Sequence, residues 1–280
     1  MILSSLWPIY YRDKTIARYS PHTLRAHEVQ FNLLHRYMGE IDADNITCDM
    51  MKDYFASCDH LKTSSLGMRI RVMKSFFNWA YKEGYIPTNP TETIKEPKIK
   101  DKTPKFFSDE EIVKLKSGCE TLLEKTLLEF SFATGCRVGE IKTINQDDIN
   151  WENNSINIMG KGEKRRTIYF SEPCKELLLE YMEFRKDDDP ALIVTERAPH
   201  RMSVAEMEYI MKRIAKRSGI GKNVHPHRLR HSYATHLINN GANLEVIRQL
   251  MGHSNLNSTM IYAHLTEEGK QKAYIKCFQG

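Results

Sequence analysis

Between residues 87 and 105 the chain can hold neither a helix nor a strand of useful length. Pro87, Pro90, Pro97 and Pro104 fall among Lys95, Lys98, Lys100, Lys102 and Lys105. Each proline removes a backbone donor and drives the residue before it out of helical geometry, while the lysines favour water. The stretch reads as a stiffened linker, with the lysines solvating it or lying along an anionic partner. It divides 280 residues into segments 1–86 and 106–280, each long enough to bury its own core.

The first segment carries only helical signals. Ser20 followed by Pro21 is a side-chain cap and a first-turn proline, and Leu24, Val29, Phe31, Leu34 and Tyr37 recur near helical spacing before Gly39. A second helix is expected near 50–57. A third is expected over 65–82, with Val72, Phe76, Trp79 and Ala80 on one face. Alternation of apolar and polar residues is missing, so the segment reads as a helical bundle.

The second segment opens on a capping box, Ser108 with Glu111, and Phe107 is placed to staple Ile112. Helical periodicity runs to about Thr134, where Gly135 interrupts it, and a further helix carries Arg137 and Glu140. Ile156 and Ile158 then alternate with polar neighbours, Gly160-Lys161-Gly162-Glu163 follows, and 166–170 is again β-rich. This is a hairpin with glycines about its tip. Helices are expected over 172–186, 203–218, 226–239, 243–251 and 257–264, and a last one after Thr266. The fold class is therefore mainly α, with a small antiparallel β-hairpin or sheet in the C-terminal domain.

Net charge is +5, and the excess is spread along the chain rather than gathered in a basic tail. Any nucleic-acid face must come from patterning. Six cysteines form no CxxC pair, and no apolar run approaches the length of a membrane span, so reduced thiols in a cytoplasmic protein are expected, with no membrane partner.

Chemistry concentrates between His225 and Tyr262. On a helix starting at Pro226, His227 and Arg230 lie three apart and share a face near the N-terminus, where free N–H groups favour a phosphate. Leu229, Tyr233, His236 and Leu237 form the opposite stripe. Tyr262 follows His253 by nine residues. A free phenol has a pKa of about 10, so Tyr262 would need a proton acceptor and a cationic pocket to attack anything. His253 and His227 suit the first need; Arg137 and Arg230 suit the second and could clamp two phosphate oxygens. Each residue taken singly is more ordinary: Tyr262 as core, His227 and Arg230 as a surface pair, Lys161 as a solvated turn. A zinc site from His225, His227, His231 and His236 is disfavoured, because the four do not share a face and no cysteine or carboxylate lies near in sequence. No metal site and no cofactor are expected.

Taken together, Arg137 in Ala-Thr-Gly-Cys-Arg-Val-Gly-Glu, Lys161 in Gly-Lys-Gly, His227 and Arg230 in His-Arg-Leu-Arg, His253 in Met-Gly-His and Tyr262 resemble the tyrosine recombinase (phage integrase) family, nearest to its short Xer-like members. Met251 stands where the family has leucine. The resemblance covers nearly the whole chain, with 1–86 similar to the family's core-binding domain.

The resemblance implies a site-specific recombinase that cuts and rejoins duplex DNA through a 3′-phosphotyrosyl link. Tyr262 would be the nucleophile, Arg137 and Arg230 would stabilise the phosphorane, and Lys161 would protonate the leaving 5′-oxygen. His227 would assist proton transfer, His253 would donate a hydrogen bond, and Glu140 would orient Arg137. Two domains would clamp DNA bearing an inverted-repeat core site. Four copies, alone or with a related recombinase, would act on two duplexes and exchange the helix after Thr266, unless that helix packs in cis. Candidate phosphate contacts are Arg69, Arg71, Lys74, Lys164, Arg165, Arg166, Lys212, Arg213, Lys216 and Arg217. Two rivals are a type IB topoisomerase, which the short N-terminal bundle disfavours, and a catalytically silent DNA-binding regulator, which the full residue set disfavours.

Overall fold

The computed structural model describes residues 1–98, 105–160, 165–198, 200–222 and 224–252. Lys161, Lys164, His253 and Tyr262 lie outside the described residues, as do the helices expected over 257–264 and after Thr266. The chain forms two compact units, Met1–Asp101 and Lys102–Gly280.

The first unit holds four α-helices: α1 (Leu3–Ile16), α2 (Pro21–Met38), α3 (Cys48–Ala56) and α4 (Thr63–Lys82). Ser20 Oγ accepts the Thr23 N–H at 3.1 Å and starts α2, and Gly39 ends it with a positive φ of 73°. Thr47 caps α3 in the same way. Helix α1 is not evident from the sequence, because Pro8 lies inside it. Packing settles the matter: Leu3, Leu6 and Tyr10 are fully buried, and Tyr10 lies edge-on to Phe76 and Trp79. The Tyr10 hydroxyl meets Ser75 Oγ at 3.0 Å and His27 Nδ1 at 2.9 Å, and burial lifts its pKa to about 12.

Two features of this unit bear on the expectations for it. Residues 87–98 are not a free spacer: Thr91 and Ile94 are buried, and Ile94 joins the bundle core. The prolines stop helix formation, but the apolar residues between them still find the bundle. Secondly, the cations expected to meet phosphate have partners within the unit. Arg69 donates through Nε to Gln30 Oε1 at 2.9 Å and lies over the Tyr54 ring, Arg71 pairs with Glu96 at 2.9 Å, and Lys74 donates to the Ile94 carbonyl at 2.7 Å.

The second unit packs seven α-helices on a three-stranded antiparallel sheet, as far as the described residues go. In order these are α5 (Asp109–Ser117), α6 (Leu122–Thr134), α7 (Val138–Ile141), β1 (Ile149–Asn150), β2 (Ser155–Met159), β3 (Arg165–Tyr169), α8 (Glu172–Phe184), α9 (Val204–Arg217), α10 (Pro226–Asn239) and α11 (Leu244–Met251). Both expected capping boxes are present, at Ser108–Glu111 and Ser203–Glu206. The pairing of Met159 with Arg165 and Ile156 with Ile168 sets the β2–β3 register. β1 is only two residues long, too short to leave a pattern. Helix α6 lies at the centre, with Leu127, Leu128 and Phe130 buried among Ile156, Ile168, Leu178, Met211, Ile214 and Leu229. Among the described residues, no helix is long and apolar enough to cross a membrane.

Candidate active site

Gly135 ends α6 in the left-handed region, at φ 59°. A side chain there would meet more than strain, since an added Cβ would lie 2.2 Å from Tyr233 Cδ1. The ring of Tyr233 supports the turn from below, and burial lifts its hydroxyl pKa to about 12. Gly135→Ala combines a left-handed non-glycine residue, about 1–2 kcal/mol, with overpacking of about 1–3 kcal/mol. The expected result is a urea unfolding midpoint well below the native value; an unchanged midpoint would show that the turn can relax.

Released from α6, the chain makes Arg137 the first-turn cap of α7, and Glu140 turns back onto it. Glu140 Oε2 accepts the Arg137 backbone N–H at 2.8 Å, and Oε1 accepts Arg137 Nη1 at 2.9 Å. The same carboxylate accepts both terminal nitrogens of Arg166, at 2.8 and 2.7 Å. Burial alone would raise the Glu140 pKa, but bonds from Arg166 and Arg137 outweigh it and hold the group below its ordinary value. Glu140 is ionised at neutral pH.

Arg230 approaches from α10. Its Nη1 donates to the Gly135 carbonyl at 2.6 Å and its Nη2 to the Met251 carbonyl. Arg166 Nε donates to the Leu250 carbonyl at 3.0 Å, and Arg137 Nη2 reaches the Gly252 carbonyl at 3.5 Å. Three successive carbonyls at the C-terminal end of α11 are thus taken by three arginines from three elements. That end of a helix carries partial negative charge, so guanidinium groups belong there. Gly252 closes the helix at φ 60°, which leaves His253 as the next residue.

Among these contacts three arginines, Arg137, Arg166 and Arg230, are set against one carboxylate, Glu140, which bonds the first two. The charge is not balanced. Burial, then the nearby Arg137, lowers the pKa of Arg230 to about 10. An anion lodged between Arg137 and Arg230 would relieve that repulsion and accept charge-assisted bonds.

The expected single face of His227 and Arg230 is only partly observed: His227 is exposed, whereas Arg230 turns inward and is 4% exposed. Leu229 and Tyr233 are buried, while His236 and Leu237 are half-buried, with His236 Nδ1 3.2 Å from Asp109. His231 is held to about 4 by burial and then by His227 and Arg230, so it is neutral at pH 7. Among the described residues, no three His, Cys, Asp or Glu side chains are grouped to hold a metal ion.

Arg166 departs most from expectation. Its place in the basic run after the hairpin suggests phosphate contact, yet its side chain is 10% exposed and occupied by Glu140 and Leu250. Its signal was present in the strand: Arg166, Ile168 and Phe170 alternate onto the inward face. Arg217 is also occupied, by Glu124, Glu120 and the Gly118 carbonyl, and Arg213 lies 3.7 Å from Glu124. Arg165, Lys212 and Lys216 are exposed. Arg228 was missed; its guanidinium lies over the Phe107 ring, 5.2 Å from the centroid, fixing the start of the unit against α10.

A profile described as Phage integrase family matches residues 105–268, and one described as Phage integrase, N-terminal SAM-like domain matches 11–84. The chain belongs to the phage integrase family. As a tyrosine recombinase it is a site-specific DNA recombinase. It is 32% identical to Tyrosine recombinase XerC of Pediococcus pentosaceus over 235 residues, 78% of this chain and 77% of that one. It is 30% identical to a Tyrosine recombinase of Thermosipho africanus over 93% of this chain and 95% of the other. Among solved structures, the Tn1549 transposon integrase in complex with a circular intermediate DNA superposes with a TM-score of 0.80, at 19% identity, over 99% of both chains. That likeness places the recombinase in the same fold.

Proposed function

We propose that Tyr262 of this recombinase attacks a DNA phosphodiester and that Arg137 and Arg230 hold the phosphorus through the step. The observation that carries this reading is the pair of guanidinium groups converging on the end of α11, directly before His253, in a cluster of three arginines that holds one carboxylate. A new bond forms between the Tyr262 oxygen and phosphorus as the bond to the 5′-oxygen breaks. His227 takes the phenol proton and Lys161 gives one to the leaving oxygen, so protons balance. Arg137 and Arg230 contact the non-bridging oxygens, where charge develops, and His253 donates to one of them. The 5′-hydroxyl of a second duplex then reverses the chemistry on the phosphotyrosine. Bond energy is conserved in the covalent link, so the scheme needs neither ATP nor a metal.

The substrate in this reading is duplex DNA with an inverted-repeat core site, handled in the cytoplasm by four copies, or by this chain with a related recombinase. The tail after Thr266 is the segment exchanged between neighbours. Arg165, Lys164, Lys212 and Lys216 are the phosphate contacts that fit best, since Arg165, Lys212 and Lys216 are exposed and Lys164 directly precedes Arg165 in the sequence. The test is a nicked suicide duplex carrying the core site, incubated with the chain in excess chelator. A covalent protein–DNA adduct on the 3′ side of the break is the expected outcome. Adduct formation that requires a divalent ion would overturn the scheme, and site-independent relaxation of supercoils would favour topoisomerase chemistry instead.

A further inference from the structure

Arg166 lies where no substrate group need reach it, yet it touches everything that holds Arg137 in place. All its bonds run inward. Nη1 and Nη2 form a fork with the two Glu140 oxygens at 2.8 and 2.7 Å, and Nε donates to the Leu250 carbonyl at 3.0 Å. Glu140 in turn fixes both the backbone and the side chain of Arg137. On its other side the guanidinium lies against Gly252, where an added Cβ would come within 2.9 Å of Arg166 Cδ and Nη1. One side chain therefore joins strand β3, the Arg137 turn and the end of α11. These are the elements that lead to Lys161, Arg137 and His253.

We infer that Arg166 is a positioning residue of the recombinase: it sets the Glu140 carboxylate that orients Arg137 and pins the α11 terminus that presents His253, and it makes no contact with DNA. The inference rests on the catalytic reading above. A planar fork suits the task because it can meet a carboxylate on one edge and keep Nε for a carbonyl; a lysine ammonium offers a point charge without that geometry. The arrangement also explains why Arg166 keeps its charge inside the unit. Burial opposes the cation, but the bond to Glu140 raises its pKa instead.

Three variants test this: Arg166→Lys, Arg166→Gln, and the pair Glu140→Gln with Arg166→Gln, which leaves neither a lone carboxylate nor a lone guanidinium between these two positions and so guards against misfolding. Two quantities are measured on core-site DNA: the single-turnover rate of adduct formation at saturating protein, and the dissociation constant across a salt series. Losses of orienting contacts behind an active group slow reactions about 10- to 100-fold. The expected pattern is a rate loss of that size for Arg166→Gln and for the pair, a smaller loss for Arg166→Lys, and native affinity and salt slope throughout. A phosphate contact would behave differently, lowering the salt slope by about 1 and weakening binding with little change of rate at saturation. That result, or a native rate for the paired variant, overturns the inference. Native protein run alongside separates the two readings: if it forms no adduct, the catalytic assignment has failed; if it does, the single variants report on Arg166 and the pair on Glu140 and Arg166 together.

Discussion

Tyr262→Phe will bind core-site DNA as the native chain does and form no covalent adduct with it. The phenol oxygen is the only atom removed, and in the proposed reaction that atom becomes the bond to phosphorus. Eliminating a nucleophile commonly costs on the order of 10⁴-fold or more, because binding and transition-state contacts remain without a group to use them. Among the described residues, the Gly135 carbonyl, Glu140 and the α11 carbonyls hold Arg137 and Arg230. Affinity in a gel-shift titration should therefore change less than about twofold, against a total loss of adduct on the suicide duplex. Adduct from the phenylalanine variant would reassign the nucleophile.

Glu140→Ala carries the largest expected cost to stability. It strips the carboxylate from Arg166 and Arg137 and leaves Arg230, already 4% exposed, beside two uncompensated cations. Removing one partner of a buried ion pair costs about 3–5 kcal/mol, a large share of the roughly 5–15 kcal/mol by which domains are stable. Urea unfolding of the full chain should show the loss, and a change below about 1 kcal/mol would show that the cluster contributes little. The comparison with Glu140→Gln carries a pH signature. Because the folded-state pKa of Glu140 is depressed, the unfolded chain takes up the proton first as pH falls. The carboxylate's contribution is complete above the ordinary carboxylate range and is lost as pH drops through the folded-state value. The gap between native protein and Glu140→Gln should close in acid, never widen.

Much of this could be read from the chain before folding. Capping boxes at Ser108 and Ser203, the proline start of α10 and the glycine end of α6 are local signals, and local hydrogen bonding realises them as written. The hairpin followed from alternation. What escaped depended on distant packing. Helix α1 tolerates Pro8 because Leu6 is buried in the bundle core and Tyr10 packs on Phe76 and Trp79 of α4, a gain that propensity does not register. Residues 87–98 were read by their prolines, but Ile94 decides where they lie. Arg166 is the instructive case. Its neighbours Lys164 and Arg165 suggest a basic run on a hairpin, whereas alternation with Ile168 and Phe170 already points it inward, and the partner carboxylate 26 residues earlier shows what it meets there. Arg69, Arg71 and Lys74 read from the sequence as phosphate contacts or solvated surface, and only folding shows that Gln30, Glu96 and the Ile94 carbonyl engage them.

The measurement that bears most directly on the account is the identity of the residue bound to DNA. Adduct trapped on a nicked suicide duplex can be digested with nuclease and trypsin, and the nucleotide-bearing peptide sequenced by mass spectrometry. The account predicts one modified peptide, spanning 249–270, with the 3′-phosphate on Tyr262. A nucleotide on any other residue, or a link to the 5′ end, would contradict it.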